Sequence, residues 1–245
     1  MRYLAALLLA AMVLAGCSRE ASNIPPPAPL TLPSAKPLVT QHVTVIGDSY
    51  VNQGWADLVQ QQLRNADAVK SDMQAASSPG SGYVFRSPGT NQTVLGENAA
   101  QLIRPDDALV VFVGSRYDGR PQILPQLANV VHGVFTQAKQ TAPQAKLLVI
   151  GPIYPEGDPP AQVLQARDIM RDQAAAVGAT FVDPIAEGWL VDQPEAIKTG
   201  NVTEAGNVFL AQKMYPLIQK ALEVAGPSPS GANTPGLLPS PSAGG

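Results

Sequence analysis

Residues Val43-Thr-Val-Ile-Gly-Asp-Ser-Tyr50 leave few architectures open to this chain. Four apolar or β-branched residues read as a buried strand, and Gly47-Asp48-Ser49 then turns the backbone toward a helix expected over Gln53–Asn65. The same alternation continues downstream. Strands are predicted over Ala68–Ala75, Ala108–Val113, Lys146–Ile150 and Thr180–Val182, and helices over Val94–Ile103, Gln122–Thr141, Ala161–Val177 and Thr203–Ala225. The last helix is expected to be N-capped at Thr203 or just before it, and Asp183–Asn201 reads as irregular. Alternating strands and helices with apolar strands predict an α/β fold, a parallel sheet with helices on both faces in three α/β/α layers. Such sheets bind ligands at the carboxyl ends of their strands, which is where Ser49 is expected. The helix that follows favours negative charge developing there.

The two ends of the chain differ from its middle. Residues 1–16 begin with Arg2 and continue as an apolar run too short to span a membrane, so they read as a secretory signal. Leu14-Ala-Gly-Cys17 resembles a bacterial lipobox, which implies cleavage before Cys17 and its lipidation. The alternative is a plain signal peptide beside an unrelated cysteine. Cys17 is the only cysteine of the chain, so burial rather than a disulfide must stabilise the exported domain. Residues 17–37 are rich in proline and predict an extended spacer, and 226–245 form a Pro/Ser/Gly tail with little apolar surface to bury. The stretch 38–225 is then one domain, held outside the cell and anchored through Cys17 to the outer face of the cell membrane. A formal net charge of −3 without a basic stripe argues against nucleic acid as a partner. No Cys/His/Asp cluster or phosphate loop is present, so neither a metal nor a cofactor is expected.

Four segments along this frame resemble the sequence blocks of the SGNH (GDSL) hydrolases, whose fold is flavodoxin-like. The resemblance covers most of Val43 to Leu222. The first block is intact, and it implies that Ser49 of Gly47-Asp48-Ser49 is the nucleophile. In the second, Ser78-Pro-Gly80-Ser-Gly82, the resemblance implies Gly80 as the oxyanion-facing residue, with Gly82 as the alternative. The reading as ordinary loop glycines stands beside both. The third block departs. The family has Gly-x-Asn-Asp, whereas this chain reads Gly114-Ser-Arg-Tyr-Asp118, with Tyr117 in place of the donating amide. A tyrosine hydroxyl donates one hydrogen bond from a different point, and its ring either lines the pocket or fills it. Arg116 is a candidate for pairing with an anionic or hydroxylated ligand.

The fourth block departs further. Asn201-Val-Thr-Glu-Ala-Gly-Asn207 aligns with the family's His-Pro-Thr-x-Ala-Gly-His, placing Asn201 at the catalytic histidine and Lys198 at its aspartate. Asparagine lacks the basicity to take a serine proton. The chain's two histidines offer no replacement: His42 precedes the first strand, at the far edge of the sheet, and His132 lies in mid-helix. Asp118, Asp183, Asp192 and Glu204 are carboxylates that a rescue mechanism would have to use, with burial raising their basicity. Lys198 as an activating base would need a depressed pKa. The leading expectation is therefore a catalytically impaired envelope protein that binds an acyl-ester or glycan ligand, or an envelope protein partner. In this reading Ser49, Gly80, Arg116, Tyr117 and Asn201 line the cleft. The alternative is an active esterase, lipase or acyltransferase using Ser49 with an unorthodox base. A purely structural spacer domain is a third class.

Overall fold

The structure is a computed structural model, and it describes residues 40–66, 70–89 and 92–224. The signal segment, Cys17, the proline-rich spacer and the C-terminal tail lie outside the described residues. Five parallel strands make the main sheet: β1 (Gln41–Gly47), β2 (Ser71–Ser77), β3 (Asp107–Val113), β4 (Lys146–Ile150) and β5 (Thr180–Val182). Their order is β2-β1-β3-β4-β5. The chain steps first to one side of β1 and then to the other, so the strand order reverses between β1 and β3.

Helices α1 (Gln53–Asn65), α2 (Leu95–Leu102), α3 (Leu124–Thr141), α4 (Ala161–Ala176) and α5 (Glu204–Val224) cover the two faces. One core joins α1 and α5 to the sheet through Trp55, Val59, Leu63, Leu210, Met214 and Ile218. The other joins α2, α3 and α4 through Leu95, Leu127, Val131, Phe135, Ala166 and Met170. The central strands β1, β3 and β4 are buried on both faces, which is why they read as apolar runs rather than alternating ones. Among the described residues no helix is long and apolar enough to cross a membrane.

Several expected elements are found with the expected bounds, including α1, β4 and β5. Two expectations are corrected. The second strand begins at Ser71 and runs on to Ser77, because its register is set by pairing with β1 rather than by its own weak pattern. The segment after β5 is not wholly irregular. It contains a short antiparallel pair, β6 (Ile197–Lys198) and β7 (Asn201–Val202), closed by Thr199-Gly200, both at positive φ (50° and 79°). That is the backbone a two-residue hairpin turn requires.

The register aligns the carboxyl ends. Gly47 pairs with Ser77 and with Val113, Val113 with Ile150, and Ile150 with Val182. The loops after the five strands therefore leave the sheet along one edge.

Candidate active site

Ser49 leaves β1 at this edge, beside the reversal point between β1 and β3, and is half-buried. The turn is fixed from below. Asp48 is fully buried; its Oδ1 accepts from the Tyr50 N–H (3.0 Å), and its carbonyl accepts from the Val51 N–H and the Ser77 hydroxyl. The helix behind it is tied in twice. Asn52 caps α1 by accepting from the Trp55 N–H (3.3 Å), and the Trp55 indole donates to the Tyr50 carbonyl (3.1 Å). Burial pushes the Asp48 carboxyl up from 3.8 to about 7, against the Tyr50 amide, the Ser115 hydroxyl and the Arg116 charge, which pull it down. Its side chain belongs to the interior.

The loop after β2 carries Gly80 at φ +70°. The Gly80 N–H donates no hydrogen bond among the described residues, whereas the Gly82 N–H donates to the Phe85 carbonyl (2.8 Å). Gly82 has a different constraint. A Cβ there would stand 2.3 Å from the Asp118 carboxylate, which reaches across to accept from the N–H groups of Tyr83 (2.6 Å), Val84 (3.1 Å) and Phe85 (3.0 Å). Burial raises the Asp118 pKa while these three donors hold it down. Asp118 is thus a clamp between the second and third loops, and Gly82 makes room for it.

After β3, residues Arg116–Asp118 form a single 3-10 turn capped by the buried Ser115, whose hydroxyl accepts from the Tyr117 N–H. The Tyr117 ring stacks on Phe85 with centroids 6.0 Å apart and planes 23° apart. Arg120 lies 3.8 Å over the Phe85 ring, and Arg116 lies 5.4 Å over the Tyr117 ring and pairs with Glu156 of the β4–α4 loop. Tyr117 therefore stands inside an aromatic and cationic stack. Sequence spacing gave no sign of Phe85, Arg120 or Glu156, since each meets the site from a distant segment.

The fourth block is built on the β6–β7 hairpin. Asn201 is exposed, and its amide donates to the Thr199 carbonyl at 3.4 Å; Lys198, opposite it, pairs with Glu195 (2.9 Å). No hydrogen bond between Asn201 and the Ser49 turn is found among the described residues. The block's far end does reach that turn: Asn207 on α5 packs against Gly54 at the start of α1, with its Oδ1 buried and unpartnered. Leu190, Asp192 and Thr199 are the non-glycine residues at positive φ among those described, and all lie between β5 and α5. Backbone strain thus concentrates in the segment that follows β5. An open cleft of about 530 Å³ runs there, lined by Pro155, Glu156, Leu190, Asp192, Gln193 and Ile197. The apolar space behind Ser49, among Tyr50, Trp55, Ile153 and Trp189, retains only about 10 Å³.

Both histidines lie elsewhere. His42 is on β1 at the amino edge, its two ring nitrogens 3.1 Å from Asp72 and 3.3 Å from Asp106. It is about 20 Å along the strand from Ser49. His132 is exposed on α3, facing Gln173 at 3.1 Å. Of the four carboxylates, Asp118 is committed to its three amides, and Asp183 accepts from the Ala186 N–H and lies 3.5 Å from Arg167. Among the described residues no group of acids, histidines or cysteines is placed to hold a metal.

A serine on the turn after β1, facing loops from β2 and β3 at the reversal point of a 2-1-3-4-5 sheet, is the frame of a serine hydrolase of the α/β/α class. The chain is 40% identical over 193 residues to the GDSL lipase Rv0518 of Mycobacterium tuberculosis, covering 74% of this chain and 82% of that protein. It belongs to the SGNH (GDSL) hydrolase family. No family model matches it. Solved structures share the fold at lower identity. The lipase/acylhydrolase of Enterococcus faecalis is 12% identical with a TM-score of 0.56, covering 74% of this chain and 96% of that one. An acetyl xylan esterase is 16% identical with a TM-score of 0.57, covering 72% and 99%.

Proposed function

We propose that this chain is an exported, lipid-anchored envelope protein whose SGNH domain binds an acylated or glycan ligand and has lost efficient ester hydrolysis. One observation carries the reading: neither histidine of the chain stands at the edge that bears Ser49. Asn201 and Lys198 occupy the positions that match the family's base and its orienting carboxylate. A serine hydroxyl whose proton has no acceptor is a weak nucleophile, however well its turn is built. Tyr117, stacked on Phe85, replaces the amide donor as well. What persists is an open cleft along the same edge, largely apolar in its walls, where Glu156 and Asp192 offer acceptors to sugar hydroxyls. The name of the Mycobacterium tuberculosis relative, a lipase, supports an acyl ester as the other ligand class.

The retained Ser49 turn and that lipase relative favour a second reading, an active esterase, lipase or acyltransferase. Of the four carboxylates weighed from the sequence, its base would have to come from Asp192 or Glu204, the two not tied to backbone amides. Labelling with a fluorophosphonate separates the two. The first reading predicts that Ser49 stays unlabelled under conditions that label an active serine hydrolase. Covalent modification at Ser49, abolished by Ser49→Ala, would establish the second.

A further inference from the structure

A second spacious cleft lies away from the Ser49 edge. It opens at the amino edge of the sheet, with a volume of about 570 Å³, where the α3–β4 and α4–β5 connections meet the end of α5. The described residues hold six lysines, Lys70, Lys139, Lys146, Lys198, Lys213 and Lys220, and three of them, Lys139, Lys146 and Lys220, line this cleft. Among the described residues no carboxylate lines it. Among the described residues none of the three forms an ion pair, whereas Lys198 pairs with Glu195. Lys139 is held in place by donating to the Val177 carbonyl at 2.7 Å. Between the cations the floor is apolar, from Leu148 and Leu217. In a chain of net charge −3, three unneutralised ammonium groups around one concavity run against the overall balance.

We infer that this cleft binds the phosphate of an anionic phospholipid headgroup, with the lysines on the phosphate and the start of the lipid's apolar body on Leu148 and Leu217. Three compact cations suit a multivalent oxyanion better than a single carboxylate, and lysine binds phosphate as a point charge. The volume lies in the range of small-ligand sites and exceeds what a bare phosphate fills. The site is distinct from the Ser49 cleft. The five residues of β4 separate the two edges by about 17 Å. The choice of a lipid rather than a soluble phosphate rests on the anchoring proposed for Cys17. The strand β1 starts at this same amino edge, two strands from β4, and the last turns of α5 line the cleft. A tether running to a membrane would bring this edge toward it.

The test uses the full chain carrying Cys17→Ser, so that no acyl anchor contributes. Binding is measured to glycerol 3-phosphate in solution and, by co-sedimentation, to phosphatidylcholine vesicles with and without phosphatidylglycerol. The expected result is binding to the phosphatidylglycerol vesicles that falls roughly a hundredfold in the triple variant Lys139→Gln/Lys146→Gln/Lys220→Gln. A charge-matched control, Lys70→Gln/Lys198→Gln/Lys213→Gln, should bind as the parent does. Equal losses in the two triple variants would overturn the site in favour of diffuse charge attraction. Binding of glycerol 3-phosphate alone, lost in the first triple, would keep the phosphate site and overturn the lipid source. No binding to either probe overturns the inference while leaving the Ser49 reading untouched.

Discussion

Asp118 shows how one side chain sets the geometry of the whole edge. Its buried carboxylate satisfies three successive amides of the loop that carries Gly80, so the second and third family blocks move as one piece. Asp118→Ala strands those donors, and it is expected to cost about 3 kcal/mol or more in urea unfolding. Gly82→Ala collides with the same carboxylate, so the two losses should combine to less than their sum. Full additivity would show that the clamp does not join the loops. Asp48 makes a pH prediction. Its pKa is raised from 3.8 to about 7 by burial, so the folded state binds more protons than the unfolded chain between those values. Its stabilising contribution is complete below about pH 4 and is lost as pH rises through about 7. Asp118 is shifted the same way. Asp48→Asn should therefore flatten the fall of unfolding free energy across that window, and an unchanged slope would contradict the assignment.

At the scale of elements, strands buried on both faces and helices with one apolar stripe announce themselves in the residue pattern. That is why the bounds of α1 and β4 could be read before the structure. The β6–β7 hairpin could not. Two-residue strands are too short to show a period, and Thr199-Gly200 lacks the usual turn pair. The stack of Tyr117, Phe85 and Arg120 was hidden for another reason: its members come from separate loops, joined only by the sheet register. The start of α5 was readable, and Thr203 does cap it, its hydroxyl accepting from the Gly206 N–H (3.2 Å) and donating to the Glu195 carbonyl. Thr203→Ala should cost about 1 kcal/mol, measured by thermal or urea unfolding. Because the same hydroxyl ties down the loop before the hairpin, proteolysis between residues 190 and 200 should quicken in the variant. A loss of stability with no change in cleavage would limit Thr203 to its capping role.

For the whole molecule, the family frame is in place, and the proposed reading separates it from the family chemistry. The sheet order, the aligned carboxyl ends and the Ser49 turn are all in place, and each follows from apolar runs and glycines that the sequence displays openly. In the reading proposed above the proton-transfer pair is lost: Asn201 and Lys198 stand at the matching positions, on an exposed hairpin, and both histidines lie on other faces. Asn201→His with Lys198→Asp and Tyr117→Asn is expected to raise ester hydrolysis above the parent level, whereas single changes should do little, since these groups act as a unit. The most direct measurement is hydrolysis of short p-nitrophenyl esters by the parent chain beside Ser49→Ala. Equal background rates in both are predicted. A clear parental rate that vanishes with Ser49→Ala would contradict the loss of chemistry and show that another group takes the serine proton.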